Sequence, residues 1–514
     1  MIQETIETHV RAVLQRADIP IDDFSLELPK HVEHGDYATS ICFKLASTFR
    51  KSPSQIGDQL TQLLASDTQL SEVLTATNIN GFINFNVHPQ FMMEALDKSV
   101  PKQLTPKKVL IEYVSANPTG PLHIGHGRWA VLGNCIERLL QYSGVQVDTE
   151  NYINNAGNQI QLFKQSVNSV ASGQPLPEDG YNGDYVQELA ALNIDPVQEM
   201  IRQHKDTLES MGVSFTHWQL ETDLHESGKV ETVLEWLKLE GLSYEKEGAI
   251  WFKSSKFNDD KDRVLVKSDG ALTYFAVDIA YHFEKLTRSY DGLINIWGAD
   301  HHGYVNRMKA AVKSMQSVKN KAVDFTILIG QLVALYRNNE PVRMSKRTGE
   351  MITLDEVIDE IGADALRFFL VQKSADTHIN FDLEIAKKQT AENPVFYIQY
   401  AHARLCRLLE KVGDIPMISV ADMVPHFNEL DRPLLMHLIQ FDEEVFMAAN
   451  QLAPHKIATY ALTLAKYVHG FYERNPIVTA VSGVKETRIW IVKHIKQRLH
   501  QSLSLLGISA PEQM

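Results

Sequence analysis

Val109-Leu-Ile-Glu-Tyr-Val-Ser-Ala-Asn-Pro-Thr-Gly-Pro-Leu-His-Ile-Gly-His126 is the stretch that decides the fold. Its first six residues are mostly β-branched, aromatic or apolar, which predicts a short buried strand over Val109–Val114. Asn117-Pro118, Gly120 and Pro121 break that strand, because proline cannot continue a ladder. From about His123 a helix is expected, with Trp129, Val131, Leu132, Cys135, Ile136, Leu139 and Leu140 forming a broad apolar face and Gly144 ending it. Strand, tight turn and helix in that order make an anion site, since the first N–H groups of the helix are unpaired and carry partial positive charge. His123 and His126 are three residues apart, so they share one helix face and can both donate to a phosphate chain. Gly125 between them lacks a side chain and lets a flat base approach the backbone.

Working outward, strands alternate with helical patterns from Thr105 to Ser374. Val109–Val114, Val145–Tyr152, Leu293–Trp297 and Phe325–Leu328 read as strands; Arg128–Tyr142, Val305–Met315 and Val357–Gln372 read as helices. The expectation is a Rossmann-like parallel sheet with helices on both faces and ligands beyond the carboxyl ends of the strands. Residues 166–240 are more polar and helical and read as an insertion. Residues 1–101 read as an α+β module, with a helix over Ile2–Arg16, a turn at His34–Ala38 and a half-buried strand at Gly81–Val87. In 391–514 only helical spacing remains, over Asn393–Glu410, Asp431–Leu452, His455–Glu473 and Val484–Leu506, which predicts an all-α bundle. The fold class is therefore multidomain α/β, in keeping with 514 residues, too many for one core.

The bulk numbers exclude several classes. The chain is 44% apolar and 22% charged, ordinary for a globular protein, and has no apolar run long enough to span a bilayer. Met1–Val10 is polar and acidic, unlike a secretory signal. Cys42, Cys135 and Cys406 stand far apart without a Cys-x-x-Cys pair, which favours a reducing compartment and argues against structural zinc. The reading is a cytoplasmic protein. A net charge of −14 opposes indiscriminate nucleic-acid binding, yet a local basic face outweighs distant acids once salt screens them. Lys261, Arg263 and Lys267, and Lys485, Arg488, Lys493, Lys496 and Arg498, are the candidate runs.

A second chemical element is Arg343-Met-Ser-Lys-Arg-Thr-Gly349, a basic loop followed by the capping pattern Thr353-x-x-Glu356. Lys346 is a mobile point charge suited to a phosphate chain. Gly298-Ala-Asp-His-His302 lies at a strand end, where Asp300 suits a ribose hydroxyl pair. His301 and His302 lack further ligands at metal spacing, so no protein-bound structural metal is expected. Asp278, four residues after Tyr274 and so on the same face if the segment is helical, is a carboxylate able to accept two parallel N–H bonds from a planar cation.

Ser115–His126 resembles the signature of class I aminoacyl-tRNA synthetases in the form carried by arginyl-tRNA synthetases. The resemblance continues in order through Asn154-Asn-Ala-Gly-Asn-Gln159, Gly180-Tyr-Asn-Gly-Asp-Tyr185, Lys261-Asp-Arg-Val-Leu-Val-Lys267 and Tyr274-Phe-Ala-Val-Asp278. It goes on in Trp297-Gly-Ala-Asp-His-His-Gly-Tyr304, Met344-Ser-Lys-Arg347 and Tyr400-Ala-His-Ala-Arg404, and so spans nearly the whole chain. It implies activation of L-arginine by ATP to arginyl-adenylate and transfer to the terminal adenosine of tRNA(Arg). His123, His126 and Lys346 would be catalytic; Gly125, Gly298, Asp300, Met344, Ser345 and Lys346 would bind ATP, which arrives with Mg2+. Glu112 and Asn117 would hold arginine near its α-amino end, and Tyr274 and Asp278 its side chain. The resemblance makes 1–101 an appended tRNA-contacting domain, 105–374 the catalytic domain and 391–514 an anticodon-binding bundle. In that bundle Tyr397, Tyr400 and Arg404 are candidate RNA contacts. A monomer without membrane attachment is expected. Trp129 and Gly127 stand where relatives often differ, which leaves the helix packing beyond the phosphate site open. The alternative is a catalytically silent synthetase-like tRNA-binding protein, which would tolerate loss of His123, His126 or Lys346.

Overall fold

The computed structural model describes residues 2–19, 24–29, 31, 34–319, 322–338, 340–342 and 352–514. The N-terminal module is built on an antiparallel sheet of β1 (Tyr37–Thr39), β2 (Leu74–Ile79) and β3 (Phe82–Val87), in the order β1-β3-β2. Asn80 and Gly81 join β2 to β3 with φ of 54° and 90°, the left-handed pair that a two-residue hairpin demands. The helix at Ile2–Arg16 is present over that range, and Ile6, Val10 and Val13 are buried with Ile83 and Phe85. The expected turn at His34–Ala38 runs directly into β1.

The chain then lays down β4 (Lys108–Glu112), β5 (Gln146–Ile153) and β6 (His217–Leu220), a small antiparallel sheet of β7 (Ser243–Lys246), β8 (Ala249–Phe252) and β9 (Arg263–Val266), and returns through β10 (Gly292–Gly298) and β11 (Asp324–Gly330). The central sheet has the order β11-β10-β4-β5-β6, every pair parallel. The chain winds outward on both sides of β4 and β10, so the crevice at their carboxyl ends is the topological switch point. The edge strand β6 falls inside 166–240, so that stretch is not wholly outside the sheet: its four residues His-Trp-Gln-Leu are too short and too polar for the alternation rule to find. A fourth sheet, β13-β12-β14, comprises β12 (Val333–Arg337), β13 (Glu340–Pro341) and β14 (Ile379–Asp382).

The helix after β4 runs Ile124–Tyr142 and is buried on nearly all sides. Its Gly133 sits against the Tyr113 ring, where a Cβ would come within 2.3 Å. Trp129 fills the space beneath Gly298 and Gly330 at the ends of β10 and β11, and a Cβ on Gly330 would lie 1.9 Å from its ring. Arg128 is buried and donates to the carbonyls of Gln331 (2.6 Å), Ser374 (2.9 Å) and Thr377 (2.7 Å), fixing this helix to the base of β12. The helix read over Val357–Gln372 is two, Leu354–Ile361 and Ala363–Val371, parted at Gly362 with φ 79°. Thr353 and Glu356 form the expected reciprocal cap.

The C-terminal bundle contains helices Pro394–Val412, Arg432–Ile439, Phe441–Asn450, His455–Arg474 and Val484–Leu505. The single helix expected over Asp431–Leu452 is broken at Gln440. The N-terminal module docks on this bundle: Arg432 Nη1 donates to Asp36 Oδ2 (2.8 Å) and Val87 O (2.8 Å), and Trp490 Nε1 to Asp97 Oδ1 (3.0 Å). Bundle and catalytic region meet at Arg367, whose buried guanidinium donates to Leu506 O (2.9 Å), Met211 O (2.7 Å) and Asn134 Oδ1 (2.7 Å). Among the described residues no helix is long and apolar enough to cross a membrane.

Candidate active site

β4 ends at Glu112, two residues earlier than expected, because the backbone turns at Val114 (φ 70°) and Ser115 (φ 44°). The Ser115 N–H donates to Tyr113 O at 3.0 Å, closing a three-residue turn around a β-branched residue in the left-handed region. Such a conformation costs on the order of 1–3 kcal/mol and is held by its surroundings. Here Ser115 Oγ donates to Glu112 Oε1 (3.0 Å) and accepts from the Tyr152 N–H (3.3 Å).

His123 is the N-cap of the following helix. Its Nδ1 accepts from the Gly125 N–H (3.1 Å), and His126 Nδ1 accepts from the His123 N–H (3.2 Å). The two rings stack with centroids 3.7 Å apart and planes 20° apart. With both Nδ1 atoms accepting, a neutral ring carries its proton on Nε2, the donor that a phosphate oxygen requires. A Cβ on Gly125 would lie 2.9 Å from His123 Cε1, so glycine there is what allows the cap to close.

Asp278 lies on the first turns of the Tyr274–Thr287 helix, which Thr273 caps by accepting from the Ala276 N–H. Tyr304, from the turn that follows β10, donates its hydroxyl to Asp278 Oδ2. Removal from bulk water pushes the Asp278 carboxyl up to about 7; the Tyr304 hydrogen bond opposes this, and the charges of Glu112 and Glu221 add to it. The other carboxylates of this region have basic partners: Glu112 pairs with Lys285, Glu150 with Arg288 (2.5 Å) and Glu221 with His225 (3.8 Å). Asp278 has no ion pair among the described residues. It is the acid whose ionised form gains most from an arriving cation.

Behind it the same helix presents Tyr281, His282 and Lys285, all buried. Tyr281 Oη donates to Glu150 Oε1 (2.6 Å), and Lys285 Nζ lies 4.1 Å from the centre of the Tyr281 ring. Burial lowers the His282 pKa to about 3, so the ring is neutral: Nδ1 donates to Asp278 O (2.8 Å) and Nε2 accepts from Asn295 Nδ2 (3.0 Å). Asn295 Nδ2 also donates to Glu112 Oε2 at 3.0 Å, its strand β10 pairing with β4 in the register Asn295↔Glu112.

The structure thus joins Ser115 and Glu112 to Asp278 through Asn295 and His282. Asn117 Nδ2 donates to Gln159 Oε1 (2.8 Å), outside that network. Tyr274 shares the Asp278 face but is 70% exposed, and the hydroxyl on Asp278 belongs to Tyr304 instead. Gly298 ends β10, and Asp300 is exposed with Oδ1 3.1 Å from His301 Nδ1. Met344, Ser345 and Lys346 lie outside the described residues. No group of three or more His, Cys, Asp or Glu side chains suited to a metal ion occurs among the described residues.

Sequence reasoning missed Glu221, Tyr304, His282 and Lys285. Glu221 accepts from Tyr152 Oη (2.8 Å), and no local pattern marks it. His282 and Lys285, four and seven residues after Asp278, were detectable as polar positions on a helix face otherwise apolar. In the bundle, Tyr397 and Tyr400 stack on His469 (4.5 and 6.3 Å), and the Arg404 guanidinium lies 3.7 Å from the Tyr472 ring centre. These residues form one aromatic and basic patch, with Tyr400 38% exposed. Two cations of the candidate basic runs are neutralised internally, Arg263 by Asp259 (2.8 Å) and Arg498 by Asp442 (3.0 Å).

Three family models cover the chain. One described as the arginyl tRNA synthetase N-terminal domain matches residues 4–87. One described as the tRNA synthetases class I (R) catalytic domain matches 91–177 and 182–407, and one described as the DALR anticodon binding domain matches 398–514. The arginine–tRNA ligase of Heliobacterium modesticaldum is 39% identical over 537 aligned residues, covering 96% of this chain and 94% of its own. That of Desulfosudis oleivorans is 38% identical over the whole of both chains. The Thermus thermophilus arginyl-tRNA synthetase structure superposes with a TM-score of 0.81 over all of both chains at 23% identity, a likeness of fold. On these matches, which run from one end of the sequence to the other, the chain belongs to the arginyl-tRNA synthetase family.

Proposed function

We propose that the chain joins L-arginine to tRNA(Arg) at the carboxyl ends of β4 and β10. ATP and arginine react at the α-phosphate to give arginyl-adenylate and pyrophosphate, and the terminal adenosine 2′-hydroxyl of tRNA(Arg) then takes the arginyl group. The observation that carries this reading is Asp278: an acid drawn out of water, braced by one phenol and without an ion pair among the described residues, wants a planar cation. Its neighbours Glu112 and Glu221 add negative potential.

In this reading Tyr274 and Asp278 receive the guanidinium, with Glu221 contributing from the far side, while Glu112 and Asn117 hold the α-amino end. His123 and His126 donate to the phosphates, Gly125 lets the adenine lie on the backbone, and Gly298 and Asp300 take the ribose. Met344, Ser345 and Lys346 bring their loop onto the departing pyrophosphate. Magnesium enters with ATP, held by phosphate oxygens and water. No covalent enzyme intermediate is needed, so positioning and preorganised charge supply the catalysis. Residues 1–101 and 391–514 bind the tRNA, the latter with Tyr397, Tyr400 and Arg404 against unstacked bases. The protein works in the cytoplasm as a monomer.

The test is ATP–pyrophosphate exchange with each amino acid, with and without tRNA. Exchange specific to arginine and stimulated by tRNA is expected. Exchange with lysine or glutamine instead overturns the substrate, and exchange with no amino acid overturns the activity.

A further inference from the structure

Lys285 is among the largest fully buried side chains of the molecule, with 1% of its side chain exposed against 6% for its partner Glu112. Burying an ammonium is costly, and a pair of well-packed apolar residues is often as stable as a buried ion pair. Its presence so close to a substrate cleft therefore asks for a reason. The three donors on Glu112 are divided between its oxygens. Lys285 Nζ and Asn295 Nδ2 (3.0 Å) both donate to Oε2, while Ser115 Oγ (3.0 Å) donates to Oε1. One oxygen is thus doubly engaged by groups from the helix and β10, and the other carries a single hydroxyl bond from the strained turn after β4. A carboxylate oxygen accepts two hydrogen bonds, so Oε1 keeps capacity for a further donor.

We propose that Lys285 is a positioning residue for substrate recognition: it anchors Glu112 by Oε2 and presents Oε1 to the α-ammonium group of the amino acid. This rests on the arginine reading above and deepens it, because it divides the recognition of arginine between two acids. Asp278, without an ion pair of its own among the described residues, takes the side-chain cation. Glu112, already half-neutralised from behind by Lys285, takes the α-ammonium without drawing a second guanidinium into the wrong place. The Tyr281 ring beneath Nζ, itself tied to Glu150, holds the ammonium in line.

The experiment compares two ligands on the full-length protein by titration calorimetry: arginine, and 5-guanidinopentanoate, which lacks only the α-amino group. Wild type is expected to prefer arginine. In Lys285→Met, arginine should weaken by about tenfold or more, the coupling expected between contacting groups once Glu112 Oε1 is no longer held in place, while the des-amino analogue changes less than about threefold. Lys285→Arg, which keeps the charge, should retain most of the preference. Equal weakening of both ligands means a purely structural role and overturns the proposal, as does no change in either. Should Lys285→Met fail to fold, Glu112→Gln and the double variant Glu112→Gln/Lys285→Met decide. Equal loss of preference in the two supports action through Glu112, and a further loss in the double variant refutes it. Wild-type protein that binds the analogue but does not prefer arginine also refutes it. Wild-type protein that binds neither ligand, nor arginine in the exchange assay, sinks the arginine reading itself, which is a separate result.

Discussion

Replacing Asp278 by Asn is the sharpest probe of the site. The two side chains are nearly the same size, and the Asn carbonyl still accepts the Tyr304 hydroxyl, so the helix and the turn after β10 keep their contact. What is lost is one negative charge and one acceptor facing a guanidinium. Truncating one side of a buried, charge-assisted hydrogen-bonded pair costs about 2–5 kcal/mol, roughly 30- to 5,000-fold in kcat/KM for arginine. The loss should sit in KM, since the group binds the side chain far from the reacting phosphate, and the apparent ATP affinity should stay within about threefold. pH gives a second signature. The free carboxyl titrates at about 7, raised by removal from water, so it is protonated below that pH and ionised above it. Arginine needs the ionised form, so wild-type KM for arginine should be flat above pH 8 and rise by about tenfold per unit as pH falls below 7. In the Asn variant this acid limb disappears, because no proton remains to compete. Steady-state exchange assays from pH 5.5 to 8.5 measure both. A variant with wild-type KM at pH 8, or a wild-type KM for arginine that ignores pH between 5.5 and 7.5, would refute the assignment of Asp278.

Three further outcomes are expected. His126→Ala and Lys346→Ala should each lower kcat of pyrophosphate exchange by roughly 10²–10³, the usual loss of one transition-state donor, with little change in KM for arginine; stopped-flow exchange separates the two constants. Gly330→Ala should destabilise the protein by about 1–3 kcal/mol in urea unfolding, because the new methyl would sit 1.9 Å from the Trp129 ring in a packed core. Tyr400→Ala should weaken tRNA binding by about 1–3 kcal/mol, the value of one stacked base, and leave tRNA-independent ATP binding unchanged; filter binding at fixed salt checks it.

Much of this molecule is legible in its residues, and the failures have physical causes. The turn and helix around His123 could be read because proline, glycine and an apolar helix face are local signals. The boundary at Glu112 could not: Val114 looks like a strand residue, and its left-handed backbone is imposed by the Ser115 bonds to Glu112 and Tyr152. Long periodic helices such as His455–Arg474 were found almost to the residue, whereas Val357–Gln372 hid a break that only the positive φ of Gly362 reveals. Tyr274 and Asp278 share a helix face as their spacing implies, yet Asp278 meets Tyr304, 26 residues on, which no periodicity brings near it. The Lys285–Glu112 pair spans 173 residues, between β4 and the helix that leads into β10, the neighbour of β4 in the sheet.

The buried guanidinium of Arg367 has a consequence for the order of assembly. Its Leu506 acceptor is made 139 residues later than the arginine itself. During synthesis at about 5–20 residues per second, the middle of the polypeptide must therefore wait roughly 7–28 seconds with that guanidinium still short of one of its three acceptors. The sheet can close in that interval, but the seam beside Asn134 stays wet until the last bundle helix arrives. A nascent chain arrested before Leu506 should accordingly be protease-sensitive near Arg367 while β4 and β5 are already protected.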